Sequence, residues 1–394
     1  MHRDLHRHHQ FFCNKEMNEI YISVFLMNLA ESMIGIFVPI YLYSLHYSIV
    51  SILLFFFIGH VGNVVFSLPI ARIVSKIGAK HAILISTPFI IAYYFGLQIL
   101  PHHSLLFFIL PLGITFRSLF YNFGFDLNFI DHLDKKSIGR ELSLLGILSI
   151  IATVLSPLVA GLVIAYYGYG LIFILGGIIL TVSCLPLFVS RDGHPAVNFS
   201  GKNIISLLSA RQHASMVLSF TGYAIESSIG RNIWPIFLII IFAATEKVGY
   251  VVAASAFITV VVIALAGQLT DRYNPKKLLR FGTMLYFFAW LGCLFADTAT
   301  KVFFINSYKS VSERFLHLPW ASMFYKIVNR DSYFRLVVAR DMVYNASRVL
   351  VLPFIMLIFA IDFYPFIISF GVAAIFTLLY SLMDFKEDKL QPGI

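Results

Sequence analysis

Apolar positions in this chain come in long uninterrupted blocks, and polar positions are confined to the short stretches between them. About twelve blocks stand out, near residues 17–44, 49–70, 81–100, 105–128, 142–166, 171–189, 216–242, 248–269, 278–295, 302–325, 336–360 and 364–383. Each is long enough to cross a bilayer as a helix. The pattern predicts an all-α membrane bundle of twelve spans. The first block is too long for a signal-peptide core and lacks a small-residue cleavage pattern, so it is expected to stay as the first helix.

Charge sharpens this reading. Alternate loops are basic: Arg72, Lys76 and Lys80; Lys135, Lys136 and Arg140; Arg191, Lys202 and Arg211; Lys276, Lys277 and Arg280; Lys326, Arg330 and Arg335. The loops between them are nearly bare. Basic loops stay in the cytoplasm, so both termini are expected inside. The expected divisions are a tail (1–16), a six-helix half (17–190), a cytoplasmic linker (191–212), a second six-helix half (213–384) and a tail (385–394). The tail histidines have no partner ligand motif, and the tail reads as a basic anchor.

With 59% hydrophobic and 12% charged residues, the chain is too apolar for a soluble domain. Its net charge of +9 lies in loops and tail, so no nucleic-acid partner is expected. Three cysteines, two of them inside apolar blocks, give no disulfide framework. No phosphate-binding Gly-x-x-x-x-Gly-Lys-Ser/Thr stretch occurs, which argues against ATP-driven transport. Nothing calls for a cofactor or a metal.

One joint between blocks is distinctive. Residues 267–277 run Gly267, Gln, Leu, Thr, Asp271, Arg272, Tyr, Asn274, Pro, Lys276, Lys277. A degenerate copy lies upstream, with Ala71, Ser75, Lys76, Gly78 and Lys80 at the matching places. The repeat extends further back. Glu31 and Gly35 match Glu226 and Gly230, and one inserted residue brings Pro39 onto Pro235 and Lys76 onto Arg272. Two motifs in one register argue for a duplicated half.

The joint resembles the loop between the second and third helices in each half of the major facilitator superfamily, which keeps Gly-x-Leu-x-Asp-Arg-x-Gly-Arg-Arg/Lys there. The resemblance implies two pseudo-symmetric six-helix halves that rock about a midplane site. It implies that the joint residues stabilise closure of the inner face. Arg117 is similar to the fourth-helix arginine of proton-coupled members, although Phe120 and Tyr121 replace the Gln-Gly that follows there. Ser156, Pro157 and Gly161 resemble the Gly-Pro-x-x-Gly-Gly bend of exporters, with Ser156 for the first Gly.

Charges deep in a membrane are functional candidates. Here they are Glu31, Arg117, Glu226, Lys309, Glu313 and Arg314, with Arg231 and Arg348 nearby. Glu31 has Arg117 as a plausible partner. Lys309 and Glu313 are four apart, so they are expected to neutralise each other or to share a substrate. Arg231 is expected to snorkel outward, and His60 and Asn63 to be hydrogen-bonded within the core. The reading is a monomeric secondary transporter of the plasma (inner) membrane, moving a small-molecule substrate, with protons as partner and a tilt towards efflux. The rivals are a polytopic acyl or glycosyl transferase and a substrate sensor on the same fold. The first would need a cluster of His, Asp or Glu at one interface; His102 and His103 have no carboxylate near them in sequence.

Overall fold

The computed structural model describes residues 15–132, 138–188, 199, 201–270, 274–324 and 330–383. Those residues form fifteen α-helices, a few 3₁₀ turns and no strand. In chain order the helices are α1 (Lys15–Ile34), α2 (Phe37–Ser44), α3 (Ile49–Ile77), α4 (Ala79–Ile99), α5 (Leu106–His132), α6 (Ile138–Tyr167), α7 (Tyr169–Cys184) and α8 (Gly201–Ser209). They continue as α9 (Ala214–Asn232), α10 (Trp234–Phe242), α11 (Thr245–Thr270), α12 (Pro275–Cys293), α13 (Ala299–Phe324), α14 (Arg330–Ile361) and α15 (Pro365–Thr377). Helices satisfy their own backbone groups, as a segment in hydrocarbon must. Their outward faces carry exposed Phe95, Phe108, Ile174, Phe257, Phe288, Leu350 and Ile375, which suit contact with lipid chains rather than water.

Ten helical segments among the described residues are long and apolar enough to cross a membrane. The blocks at 278–295 and 302–325 are not in that set. Lys276, Lys277 and Arg280 open α12, and α13 carries Lys301, Lys309, Glu313 and Arg314. Both still pack inside the bundle: α12 against α13 and α15, and α13 also against α11.

Two blocks expected as single helices are broken. The first turns at Gly35–Ile36, between α1 and α2, and the seventh at Ile233, between α9 and α10. Proline explains both. Pro39 has no N–H to give the Gly35 carbonyl, and Pro235 has none for the Arg231 carbonyl, while each ring crowds the carbonyl four residues back. The duplicated proline thus breaks both helices at nearly corresponding points.

The packing pairs recur. α3 and α4 both pack on α5, α1 packs on α6 and α7, and α4 meets α7. Later in the chain α11 and α12 both pack on α13, α9 packs on α14 and α15, and α12 meets α15. Between these sets the main seams are α6 on α11 and α3 on α14. At the first seam, a Cβ built on Gly161 would lie 2.8 Å from the Thr245 carbonyl oxygen, and one on Gly249 would lie 2.5 Å from that of Pro157. Backbone meets backbone there. Pro157 sits inside α6, and Ser156 Oγ donates to the Ala152 carbonyl at 2.6 Å.

The upstream joint is a single residue. Gly78, with φ of +88°, ends α3 and starts α4, a backbone shape that favours glycine. Ala71 and Ser75 are buried, Ser75 Oγ donates to the Arg72 carbonyl at 2.9 Å, Lys76 is exposed and Lys80 is buried. At the downstream joint, Gly267 lies in α11, and Asn274 caps α12 by accepting from Lys276 N at 3.0 Å. Asp271 and Arg272 lie outside the described residues. The expected linker contains a helix of its own: α8 packs on α14 with Ile204 buried and Ile205 exposed.

Candidate functional site

Glu31 sits one turn before the break that follows α1. Its carboxylate meets Arg117 of α5 at 2.8 Å. The two ends of the pair differ: the Arg117 side chain is 9% exposed, the Glu31 side chain 44%. Arg117 also lies over the Tyr121 ring, 4.7 Å from its centroid. The arginine is thus anchored in protein, while the carboxylate borders open space.

Glu226 occupies the repeated position on α9, but its surroundings are unlike those of Glu31. It is 3% exposed, and three donors close on it. Tyr286 OH and Trp290 Nε1 of α12 donate to Oε1 at 2.7 and 3.2 Å. Tyr380 OH, from the turn after α15, donates to Oε2 at 2.8 Å. A buried carboxylate needs such donors to remain charged.

Lys309 of α13 is buried in an aromatic slot, its ammonium 3.6 Å from the Trp290 ring centroid and 4.9 Å from that of Trp234. The expected Lys309–Glu313 pairing is not found. Glu313 instead approaches His317, at 3.8 Å. Helical spacing does put Lys309 and Glu313 on one face, but the two indole faces hold Lys309. Cation–π attraction of about 2 kcal/mol in a desolvated slot outweighs an i,i+4 pair of about 0.2–0.5 kcal/mol.

Arg231 also departs from expectation. It does not reach outward: its Nη2 folds back to donate to Tyr223 OH at 2.9 Å. Arg348 of α14 donates to the Ala224 carbonyl at 3.3 Å and to Ser227 Oγ at 3.1 Å, tying α14 to α9.

The groups on α9, α12 and α13 surround one cavity of about 340 Å³, lined by Tyr223, Glu226, Ser227, Gly230, Arg231, Tyr286, Lys309, Glu313, Arg314 and His317. Glu226 of α9 is therefore brought together with Lys309, Glu313 and Arg314 of α13. Glu31 and Arg117 are not among the lining residues. Tyr223, Tyr286, Trp290, Tyr380 and His317 escaped the sequence reading, because in a chain that is 16% aromatic no spacing singles them out.

A second polar cluster joins α5 to α14. Asp126 Oδ2 receives Arg340 Nη2 at 3.0 Å, and Asp126 Oδ1 receives Tyr333 OH at 3.0 Å. The Arg340 guanidinium covers the Phe324 ring at 4.7 Å. Nearer mid-helix, His60 Nδ1 of α3 bonds Asn345 Oδ1 of α14 at 2.9 Å. Asn63 Nδ2 donates to the Gly59 carbonyl and Asn63 Oδ1 accepts from Ser118 Oγ, so both core hydrogen-bond expectations hold. Asp126 and Arg340 escaped the sequence reading, since nothing in sequence joins residues 214 apart.

Compared with protein families, residues 20–308 match the family described as Major Facilitator Superfamily. Comparison with curated proteins gave no match.

Proposed function

The chain belongs to the Major Facilitator Superfamily, and from that premise we propose that it is a proton-coupled secondary transporter working by alternating access. Membership and the apolar helices make it an integral membrane protein of a family of transporters. The finer reading is twelve spans in two six-helix halves, with α1–α2 and α9–α10 each counted as one broken span. The recurring packing pairs and the two proline breaks support it. Membranes tolerate broken helices where the break borders a cavity.

The observation that carries the transport reading is the charged cavity beside the α9–α10 break, deep in a bundle with an apolar exterior. A charge-lined space at that depth is hard to explain as packing, since each charge resists burial. The Asp126–Arg340–Tyr333 cluster supports alternating access. It bridges the two proposed halves at the end where α5 stops and α14 starts, which the basic loops assign to the cytoplasm. Opening that end would pull it apart.

Of the twin carboxylates, Glu31 is the one we assign to proton exchange. It is half open and has one cationic partner, so it can give up Arg117 for a proton as the cleft changes access. Glu226 is closed in by three protein donors and serves as an anchor. The bend at Pro157 and Gly161 supports the tilt towards efflux only through the resemblance it carries.

The test uses the full chain in proteoliposomes with an imposed pH gradient and a panel of labelled solutes. Gradient-dependent accumulation by the wild type, with exchange but no accumulation by Glu31→Gln, is the expected result. Accumulation by Glu31→Gln equal to wild type would remove the proton assignment. Absence of any solute movement would remove transport itself.

A further inference from the structure

We propose that the cavity between α9, α12 and α13 binds a small organic anion, one carrying a carboxylate or phosphate group. The inference deepens the transport reading, on which it rests for calling that ligand the transported solute.

Three cationic side chains line the cavity: Arg231, Lys309 and Arg314. Lys309 is the most telling. It is 7% exposed, and among the described residues it makes no ion pair and no hydrogen bond; its contacts are two indole faces. Those faces stabilise a cation without using its N–H donors. The three donors of a buried ammonium are normally taken up, and here the space beside them is the cavity.

The carboxylates do not supply the missing acceptor. Glu226 Oε1 and Lys309 Nζ both border Gly230, 3.6 and 3.7 Å from the point where a Cβ there would stand. Yet both Glu226 oxygens already accept from Tyr286, Trp290 and Tyr380. Glu313 is turned towards His317. Each carboxylate lowers the positive potential of the cavity without occupying the donors.

Like charges also face one another. Arg231 and Arg314 line the same cavity as Lys309, and the one bond that Arg231 makes there goes to a neutral partner, Tyr223 OH. Cations gathered around one cavity favour an anion between them. A cationic solute would meet three repulsive groups on entry; an anion would meet unspent donors in fork geometry from arginine and a point charge from lysine. The Tyr223 ring, stacked on Trp320 at 5.3 Å between centroids, gives the ligand's body a rigid aromatic wall.

The experiment follows thermal unfolding of the full-length chain in neutral detergent. Benzoate, phenyl phosphate, benzylamine and benzyl alcohol are titrated separately, so that ring size is held and charge varied. Saturable stabilisation by benzoate or phenyl phosphate alone is expected, and which of the two is stronger separates carboxylate from phosphate recognition. Lys309→Gln and Arg314→Gln should each weaken that response roughly tenfold or more. If Lys309→Gln does not purify folded, Arg314→Gln decides. No stabilisation by either anion, preferential stabilisation by benzylamine or benzyl alcohol, or an unchanged anion response in the folded variants would overturn the proposal. Uptake assays separate the two readings. Anion binding without movement of any solute sinks transport and leaves the site, whereas gradient-driven uptake of a non-anionic solute, with no anion binding, sinks the site and leaves transport.

Discussion

At Glu226, one carboxylate holds three aromatic donors from α12 and the turn after α15 and offsets a buried lysine nearby. Glu226→Gln should therefore act chiefly on stability. It replaces charge-assisted bonds with neutral ones and leaves Lys309 less compensated, a loss of about 2–4 kcal/mol measured by thermal or denaturant unfolding. Glu31→Gln should cost less, because Glu31 is half open to solvent and the buried Arg117 keeps its Tyr121 contact. Equal losses at the two positions would refute this division of labour. The sequence made the twin carboxylates visible through the repeat, and Glu31–Arg117 through the scarcity of other partners. It could not show that identical residues at matched positions have opposite environments. That difference comes from Tyr286, Trp290 and Tyr380, which lie 60 or more residues away along the chain. Lys309 and Glu313 make the same point: local spacing proposed a pair, and a tertiary aromatic slot took one member.

Between elements, the α6–α11 seam is the most demanding contact. Gly161→Val or Gly249→Val would drive a side chain into a facing carbonyl, since even a Cβ comes within 2.8 or 2.5 Å of one. A loss of about 1–3 kcal/mol or more is expected, read as a lower unfolding temperature. Gly146 on the same helix is the control. A Cβ there meets nothing within 4 Å, and Gly146→Ala should be neutral or stabilising by roughly 0.5–1 kcal/mol. The α5–α14 contact gives a second expectation. Asp126→Asn should loosen Arg340 and raise the reactivity of cysteines placed in the cleft towards a reagent added from that end, with little change in folding; unchanged reactivity would remove Asp126 from any closing role. Blocks of apolar sequence made the helices legible because length and hydrophobicity suffice to define a span. Their breaks were harder to read, since a proline in a membrane helix can be absorbed as a mild bend. That two prolines in repeat register both interrupt the helix is a property of the fold around them.

For the molecule as a whole, the alternation of basic and bare loops predicts an orientation that can be checked directly. A cysteine replacing Tyr167, the 74% exposed last residue of α6, should react with an impermeant reagent in intact cells. Reaction only after permeabilisation would reverse the bundle. The all-helical membrane character and the family were the most legible level, because the apolar blocks and the duplicated joint carry them directly. Assembly of the cavity was the least, because it depends on how α9, α12 and α13 lean together.

The aromatic slot has a consequence for observing the protein at work. The chain has three tryptophans. Trp234 and Trp290 flank the Lys309 ammonium, and Trp320 stacks on Tyr223 in the cavity wall. All of its indole emission therefore originates around one site, and every helix before α10 is dark. An unlabelled sample carries its own reporter: quenching or a wavelength shift as a solute enters reads occupancy there, in real time and without an engineered probe.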